Sequence, residues 1–354
     1  MKKTEIYVKR LTNTERSEIR DAVINISYPE SNYTEYLRQI DAVKDRIGGI
    51  FSDVENRSNL SRSYPHYSGA IKIENLPVDE ALPMPPVNGS SLRRIEKETY
   101  VSENVLILIA SFFGRPYSMF CEGRGLINNL VPTQTTSTQL TGLGAASDLR
   151  FHIENSALRF LTGRDCAPKA LFLTGVKQDA TPPLTRLSDA RPALSLLGEE
   201  DRRALSSASY RLRLPYRWRD FRPGFDRITT PRVPLVRSTR EGLLVNAALY
   251  GDMIADYRVP AAERAARNFE AALEEVAFDG VVAPGELLCI DNRVTLHART
   301  PFQASFDEQG RAHRWVQRVF VTESFDNFKN WDAVDDGVFA PTFAGVPQDL
   351  RQAG

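Results

Sequence analysis

Apolar residues recur at helical spacing at Leu37, Ile40, Val43, Ile47 and Phe51, behind Thr34 as a candidate cap. This predicts an amphipathic helix, weakened at its end by Gly48-Gly49. A second stripe, Ala265, Phe269, Ala272 and Val276, predicts a helix within VPAAERAARNFEAALEEVAFD. VSENVLILIASFFG is apolar enough for a buried helix over residues 103 to 113, and Gly114 and Pro116 stop it. Elsewhere the period shortens. Ile71 and Ile73 alternate with polar neighbours, as in a strand, and LPVDEALPMPPVNGSS then carries too much proline for regular structure. KALFLTGV, SYRLRLPYR, GLLVNAALY, GELLCIDNRVTLHA and HRWVQRVFVTES read as short β segments. No repeat or low-complexity stretch interrupts them. Helices before and within a series of strands joined by long loops predict a mainly β fold: a jelly-roll, cupin-like core (a double-stranded β-helix) buttressed by N-terminal and inserted helices. The 354 residues read as one domain. It comprises a helical N-terminal part over 1–66, a core over about 67–331 and a C-terminal tail over 332–354.

Composition narrows the function. Forty-five basic side chains balance 45 acidic ones, which argues against a nucleic-acid or membrane-surface specialist. Cys121, Cys166 and Cys289 are too few and too widely spaced for a disulfide framework or a zinc knuckle. The charged N-terminus has no apolar stretch behind it, so a cytoplasmic location is expected. YRLRLPYRWRDFRPGFDR interleaves arginines with aromatics. A strand with one wet face explains its first part better than stacking on single-stranded nucleic acid does. A third reading, in which these arginines border an active site and meet an acidic substrate or a carrier-protein partner, stays open. Gly142-Leu143-Gly144 lacks the spacing and context of a nucleotide-binding loop.

Only four histidines are present. His152-Ile153-Glu154 places an imidazole and a carboxylate two residues apart, on one side of an extended chain, where both can reach one metal. Alone this is a weak signal. His297, at the end of GELLCIDNRVTLHA, can supply a second imidazole from a neighbouring strand. Two imidazoles and one carboxylate leave three coordination positions open, the pattern of non-haem Fe(II) oxygenases, with a chelating cosubstrate and O2 in the open positions. A 2-oxoglutarate cosubstrate also needs a planar fork for its far carboxylate, and Arg314 is placed to provide one. Arg318 follows on the same strand face, roughly 13 Å along, and is expected either to hold a substrate carboxylate or to form a structural ion pair. His66 and His313 lie in loop-like surroundings and are read as solvated.

FHIENSAL, LLCIDNRVTLHARTPF and HRWVQRVFVTES resemble the clavaminate synthase-like, TauD-related branch of the Fe(II)/2-oxoglutarate oxygenases, especially its amino-acid hydroxylases acting on arginine, asparagine and lysine. The resemblance runs from about Ile71 to Trp331. It implies that His152, Glu154 and His297 bind the metal, that Arg314 binds 2-oxoglutarate with Thr185 beside it, and that Arg318 meets the substrate carboxylate. It further implies hydroxylation, or desaturation, of an amino-acid-like substrate in specialised metabolism such as antibiotic biosynthesis, on a free amino acid, a peptide, a cyclic dipeptide or a carrier-bound residue.

The sequence also departs from the arginine hydroxylases. Phe120 and Cys121 precede Glu122-Gly123-Arg124 where those relatives carry a glutamine that contacts the substrate backbone. Their acidic clamp on the guanidinium falls on Asn246 and Ala248. Phe120 and Asn246 are therefore expected beside the substrate, and a neutral or apolar substrate side chain is expected, since a buried cation without a partner is unfavourable. Glu154 stands where halogenases of the wider superfamily have a small residue, which disfavours halogenation. From another class, a jelly-roll zinc hydrolase or a binding protein would use the same three ligands and leave Arg314 without a role.

Overall fold

The computed structural model describes residues 3–58, 62, 68–136 and 144–343. Its core is two facing β-sheets. In the major sheet the order is Tyr7–Arg10, Ala70–Glu74, Leu287–Asp291, Ala170–Lys177, Trp315–Thr322, Arg115–Met119, Val338–Ala340 and Asp332–Asp335, with Asn128–Leu130 also pairing with Trp315–Thr322. The minor sheet is Phe278–Gly280, Thr185–Asp189, Thr295–Arg299 and Leu149–His152. Leu171, Leu173, Val316 and Arg318 from the major sheet and Leu149, His152, Thr185 and His297 from the minor one line a single cavity between them. This is the expected jelly roll, with inserted helices on the outer faces.

The helices explain the apolar stripes. Val101–Ser111 is buried along nearly its whole length because it lies between the major sheet and the amphipathic helix Tyr33–Ile47. Pro260–Val276 turns Ala265, Phe269, Leu273 and Val276 inwards behind the minor sheet, where the Leu273 carbonyl accepts from Ser188 Oγ at 2.8 Å. The helix after residue 32 starts from Asn32, in the left-handed region, and not from Thr34.

Several elements differ from expectation. GELLCIDNRVTLHA is two strands, not one. The chain turns at Asn292–Val294, where Asp291 Oδ1 accepts the Arg293 N–H at 2.8 Å, and crosses from the major to the minor sheet. SYRLRLPYR is a strand only over Tyr210–Leu212, because Pro215 opens a one-turn helix, Tyr216–Arg219. The N-terminal part is helical but also contributes Tyr7–Arg10, parallel to Ala70–Glu74, to the sheet edge. Asp332–Asp335 and Val338–Ala340, assigned to the tail, form a hairpin on Arg115–Met119. Asn13–Val23 is a further helix that its sparse apolar stripe hid. Residues 137–143 and His66 lie outside the described residues, so Gly142-Leu143 and that histidine receive no structural account.

Candidate active site

His152 and His297 are register partners on adjacent antiparallel strands, which brings their rings to 4.1 Å between centroids. Glu154 follows just past the strand end. Its backbone is clasped by Asn292, whose Oδ1 accepts the Glu154 N–H at 2.7 Å while Nδ2 donates to the carbonyls of Glu154 and Pro168, each at 3.0 Å. One ligand-capable atom from each of His152, Glu154 and His297 lies within 4.8 Å of the others. The Arg150 carbonyl can only accept, so the 2.8 Å contact to His152 Nδ1 fixes the hydrogen there and leaves Nε2 with a free lone pair. Burial, with His297 adding to it, pulls the His152 pKa down to about 3. The imidazole is therefore neutral and available to a cation at any ordinary pH. Burial pushes the Glu154 carboxyl up, yet the Arg318 charge, with His297 at 3.6 Å, outweighs it and holds Glu154 well below the usual carboxylate range. A neutral His152 imidazole, the His297 ring beside it and one ionised carboxylate on one wall fit a divalent cation.

The cavity has about 900 Å³ of empty space out to its mouth. Arg314 and Thr185 line one end, together with Arg299. Arg314 makes no hydrogen bond and no ion pair within 4 Å among the described residues; its guanidinium lies 5.2 Å from the Phe302 ring. Burial lowers its pKa to about 10, with Asp179 acting in the opposite sense. A desolvated, unpaired guanidinium is a ready receptor for a carboxylate. Arg299 donates to the carbonyls of Gly144 and Ser147, and burial next to Arg314 also brings it to about 10.

At the other end Arg318 bridges two acids, donating from Nη1 to Glu154 Oε1 and from Nη2 to Glu122 Oε2. Burial would lower its pKa, but the two carboxylates raise it. Glu122 Oε1 accepts from Trp218 Nε1 at 2.8 Å and from Asn155 Nδ2 at 2.9 Å. The structure therefore shows Arg318 as an ion pair while keeping it on the cavity wall.

Phe120 and Asn246 do not reach the cavity. The Phe120 ring packs edge-on against Phe221 at 6.0 Å. Asn246 is fully buried, its side chain turned into the body to donate to the Pro234 carbonyl at 3.0 Å. Ala248 borders a separate cleft. Among the wall positions that sequence reasoning did not single out are Glu122, Trp218, Tyr250 and Arg299, whereas Arg217 belongs to YRLRLPYRWRDFRPGFDR, one reading of which placed its arginines at an active site. Arg299 was findable, since it stands two residues after His297 on the same strand.

The taurine catabolism dioxygenase TauD, TfdA family model matches residues 109–320. An L-asparagine oxygenase of Streptomyces coelicolor is 30% identical over 263 residues, 72% of this chain and 71% of that protein. An L-lysine 3-hydroxylase of Catenulispora acidiphila is 26% identical over 72% of this chain and 67% of its own. Among solved structures, an asparagine oxygenase with Fe(II), 2S,3S-3-hydroxyasparagine and succinate superposes with a TM-score of 0.77 at 22% identity, over 95% of this chain and 100% of that one. The non-haem iron oxygenase OrfP with Fe and alpha-ketoglutaric acid gives 0.74 at 19% identity, over 95% and 100%.

Proposed function

The chain belongs to the taurine catabolism dioxygenase TauD, TfdA family, and from that premise we propose that it hydroxylates, or desaturates, an amino acid or amino-acid-derived small molecule at an unactivated carbon. The enzyme is a 2-oxoglutarate-dependent dioxygenase using Fe(II) and O2. Neither a zinc hydrolase nor a passive binding protein finds support. The observation that carries the reading is the His152, Glu154, His297 cluster sharing a cavity with the unpaired Arg314.

His152, Glu154 and His297 hold the metal. Bound iron(II) supplies the oxidising chemistry, with 2-oxoglutarate converted to succinate and CO2 as the substrate is oxidised. Arg314, with Thr185 beside it, receives the far carboxylate of 2-oxoglutarate. Asn292 sets the aim of Glu154 without touching any reactant. Arg318 compensates Glu154 through Nη1 and Glu122 through Nη2; a divalent cation held by Glu154 would take over the first of these roles and leave Nη1 for a substrate carboxylate. Glu122 is placed to take the substrate ammonium. The sheets and the Tyr216–Arg219 turn shelter the reacting carbon from water.

Free amino acids are the preferred substrates in this reading, since both charges of a zwitterion find partners. A peptide, a cyclic dipeptide or a carrier-bound residue would leave at least one unmatched. A cytoplasmic setting in specialised metabolism fits three buried free thiols, and among the described residues no helix is long and apolar enough to cross a membrane. The test is succinate release across a panel of free amino acids, dipeptides and cyclic dipeptides. Substrate-stimulated release with at least one free amino acid is expected; release with blocked substrates alone would reject the roles of Arg318 and Glu122.

A further inference from the structure

The one-turn helix Tyr216–Arg219 borders the metal-cluster cavity, and Tyr216, Arg217 and Trp218 line it. Trp218 is fully buried and donates to Glu122. Arg219 points away, to Asp252 at 2.7 Å and the Leu214 carbonyl at 2.8 Å, and the Tyr216 hydroxyl also reaches Asp252 at 2.6 Å. These hydrogen bonds fix the neighbours of Arg217, which lines the cavity with Glu122 and Arg318. Its guanidinium makes no hydrogen bond and no ion pair within 4 Å among the described residues. Burial lowers its pKa, with Glu122 opposing.

Charge matching then selects the substrate. An amino-acid zwitterion brings one ammonium and one carboxylate, which Glu122 and Arg318 satisfy. Arg217 is left over as a partly buried cation without a partner, which is unfavourable under a neutral side chain and worse beside a lysine or arginine side chain. We propose that Arg217 recognises an anionic group on the substrate side chain, so that the enzyme prefers acidic amino acids. This rests on the function proposed above and replaces the expected neutral or apolar side chain, which was inferred from Asn246 and Ala248, positions outside the cavity. A planar carboxylate matches the guanidinium fork, and a phosphate presents the same charge.

The test compares L-aspartate, L-glutamate and O-phospho-L-serine with L-asparagine, L-glutamine and L-serine. Succinate release gives kcat/KM, and anaerobic calorimetry on enzyme loaded with Fe(II) and 2-oxoglutarate gives binding. At least one acid should exceed its neutral counterpart by roughly tenfold or more, as expected for one buried charge pair. That ratio should collapse in Arg217→Gln and partly return in Arg217→Lys, with melting temperatures confirming that both variants fold. The pair with the largest ratio tells carboxylate from phosphate. Equal use of neutral counterparts, or a ratio unmoved in Arg217→Gln, overturns the proposal. So does an equal loss for acidic and neutral compounds, which would put Arg217 on the shared α-carboxylate. If no compound stimulates release while 2-oxoglutarate still chelates the iron, the acidic preference fails alone; if chelation fails too, the proposed function fails with it.

Discussion

Arg318 sits between Glu122 and Glu154, and removing one partner from a buried charge network costs far more than the network contributes as a whole. Arg318→Met should therefore destabilise the metal-free protein by about 3–5 kcal/mol, because two buried carboxylates lose their cation. A divalent cation at Glu154 takes over half of that compensation, so the drop in melting temperature should be smaller in the metal-loaded protein. Calorimetry of both forms checks this, and equal drops would deny that Glu154 faces the metal. Asn292→Ala should weaken metal binding by about 10–100-fold while leaving all three ligands in place. Calorimetric titration with Fe(II) under anaerobic conditions reads this directly; unchanged affinity would reduce Asn292 to a tie for the Pro168 carbonyl. At this scale residue type and period alone pointed to His152, Glu154, His297 and Arg314, which folding brings to one cavity. It hides Glu122, whose role comes from Trp218, Asn155 and Arg318, partners brought to it only by folding.

Among the elements, Val101–Ser111 shows how the scaffold holds the site. A helix this apolar must still satisfy its first N–H groups, and Asp79, from the proline-rich loop, accepts from the amides of Val101 at 2.9 Å and Ser102 at 3.1 Å. Asp79 also accepts from Thr99 Oγ1 at 2.8 Å and Lys97 Nζ at 2.6 Å. Lys97 pairs with Glu103 at 2.6 Å, and Glu103 accepts from Gln317 at 2.8 Å, on the strand that carries Arg318. Burial raises the Asp79 pKa, but Lys97 and the hydroxyl donors reverse this and leave it below its ordinary 3.8. With the folded value depressed, the stabilisation is complete above about pH 4 and is lost as pH falls through the folded value. Asp79→Asn should thus lower stability at pH 7 by on the order of 3 kcal/mol. Its gap from the parent protein should narrow below pH 4 in denaturant titrations; a pH-independent gap would contradict the charged cap. The loop and the helix were both readable, yet a cap supplied from 22 residues upstream leaves no local pattern. The helix Asn13–Val23 had a cue that periodicity missed, the reciprocal Thr12 and Glu15 capping box.

For the whole molecule, the two sheets are the device. His152 and His297 belong to the minor sheet and Arg318 to the major-sheet strand Trp315–Thr322, which Arg314 directly precedes, so the site exists only when the sheets face each other. The jelly-roll class was legible from short apolar segments and long loops. The crossing at Asn292–Val294 was not, because an apolar run gives the same pattern whether it stays in one sheet or changes sheets. Binding confined to the folded state should raise stability by about 2.7 kcal/mol at a free metal concentration 100-fold above Kd. Melting temperature against Fe(II) concentration measures this, and a flat response would mean that no preformed site exists. The most direct test of the central claim is the visible spectrum of the protein mixed anaerobically with Fe(II) and 2-oxoglutarate. The predicted result is the weak charge-transfer band of the chelate, absent in His152→Ala and requiring far more 2-oxoglutarate in Arg314→Ala. Folded, iron-loaded parent protein that shows no band at saturating 2-oxoglutarate would contradict it.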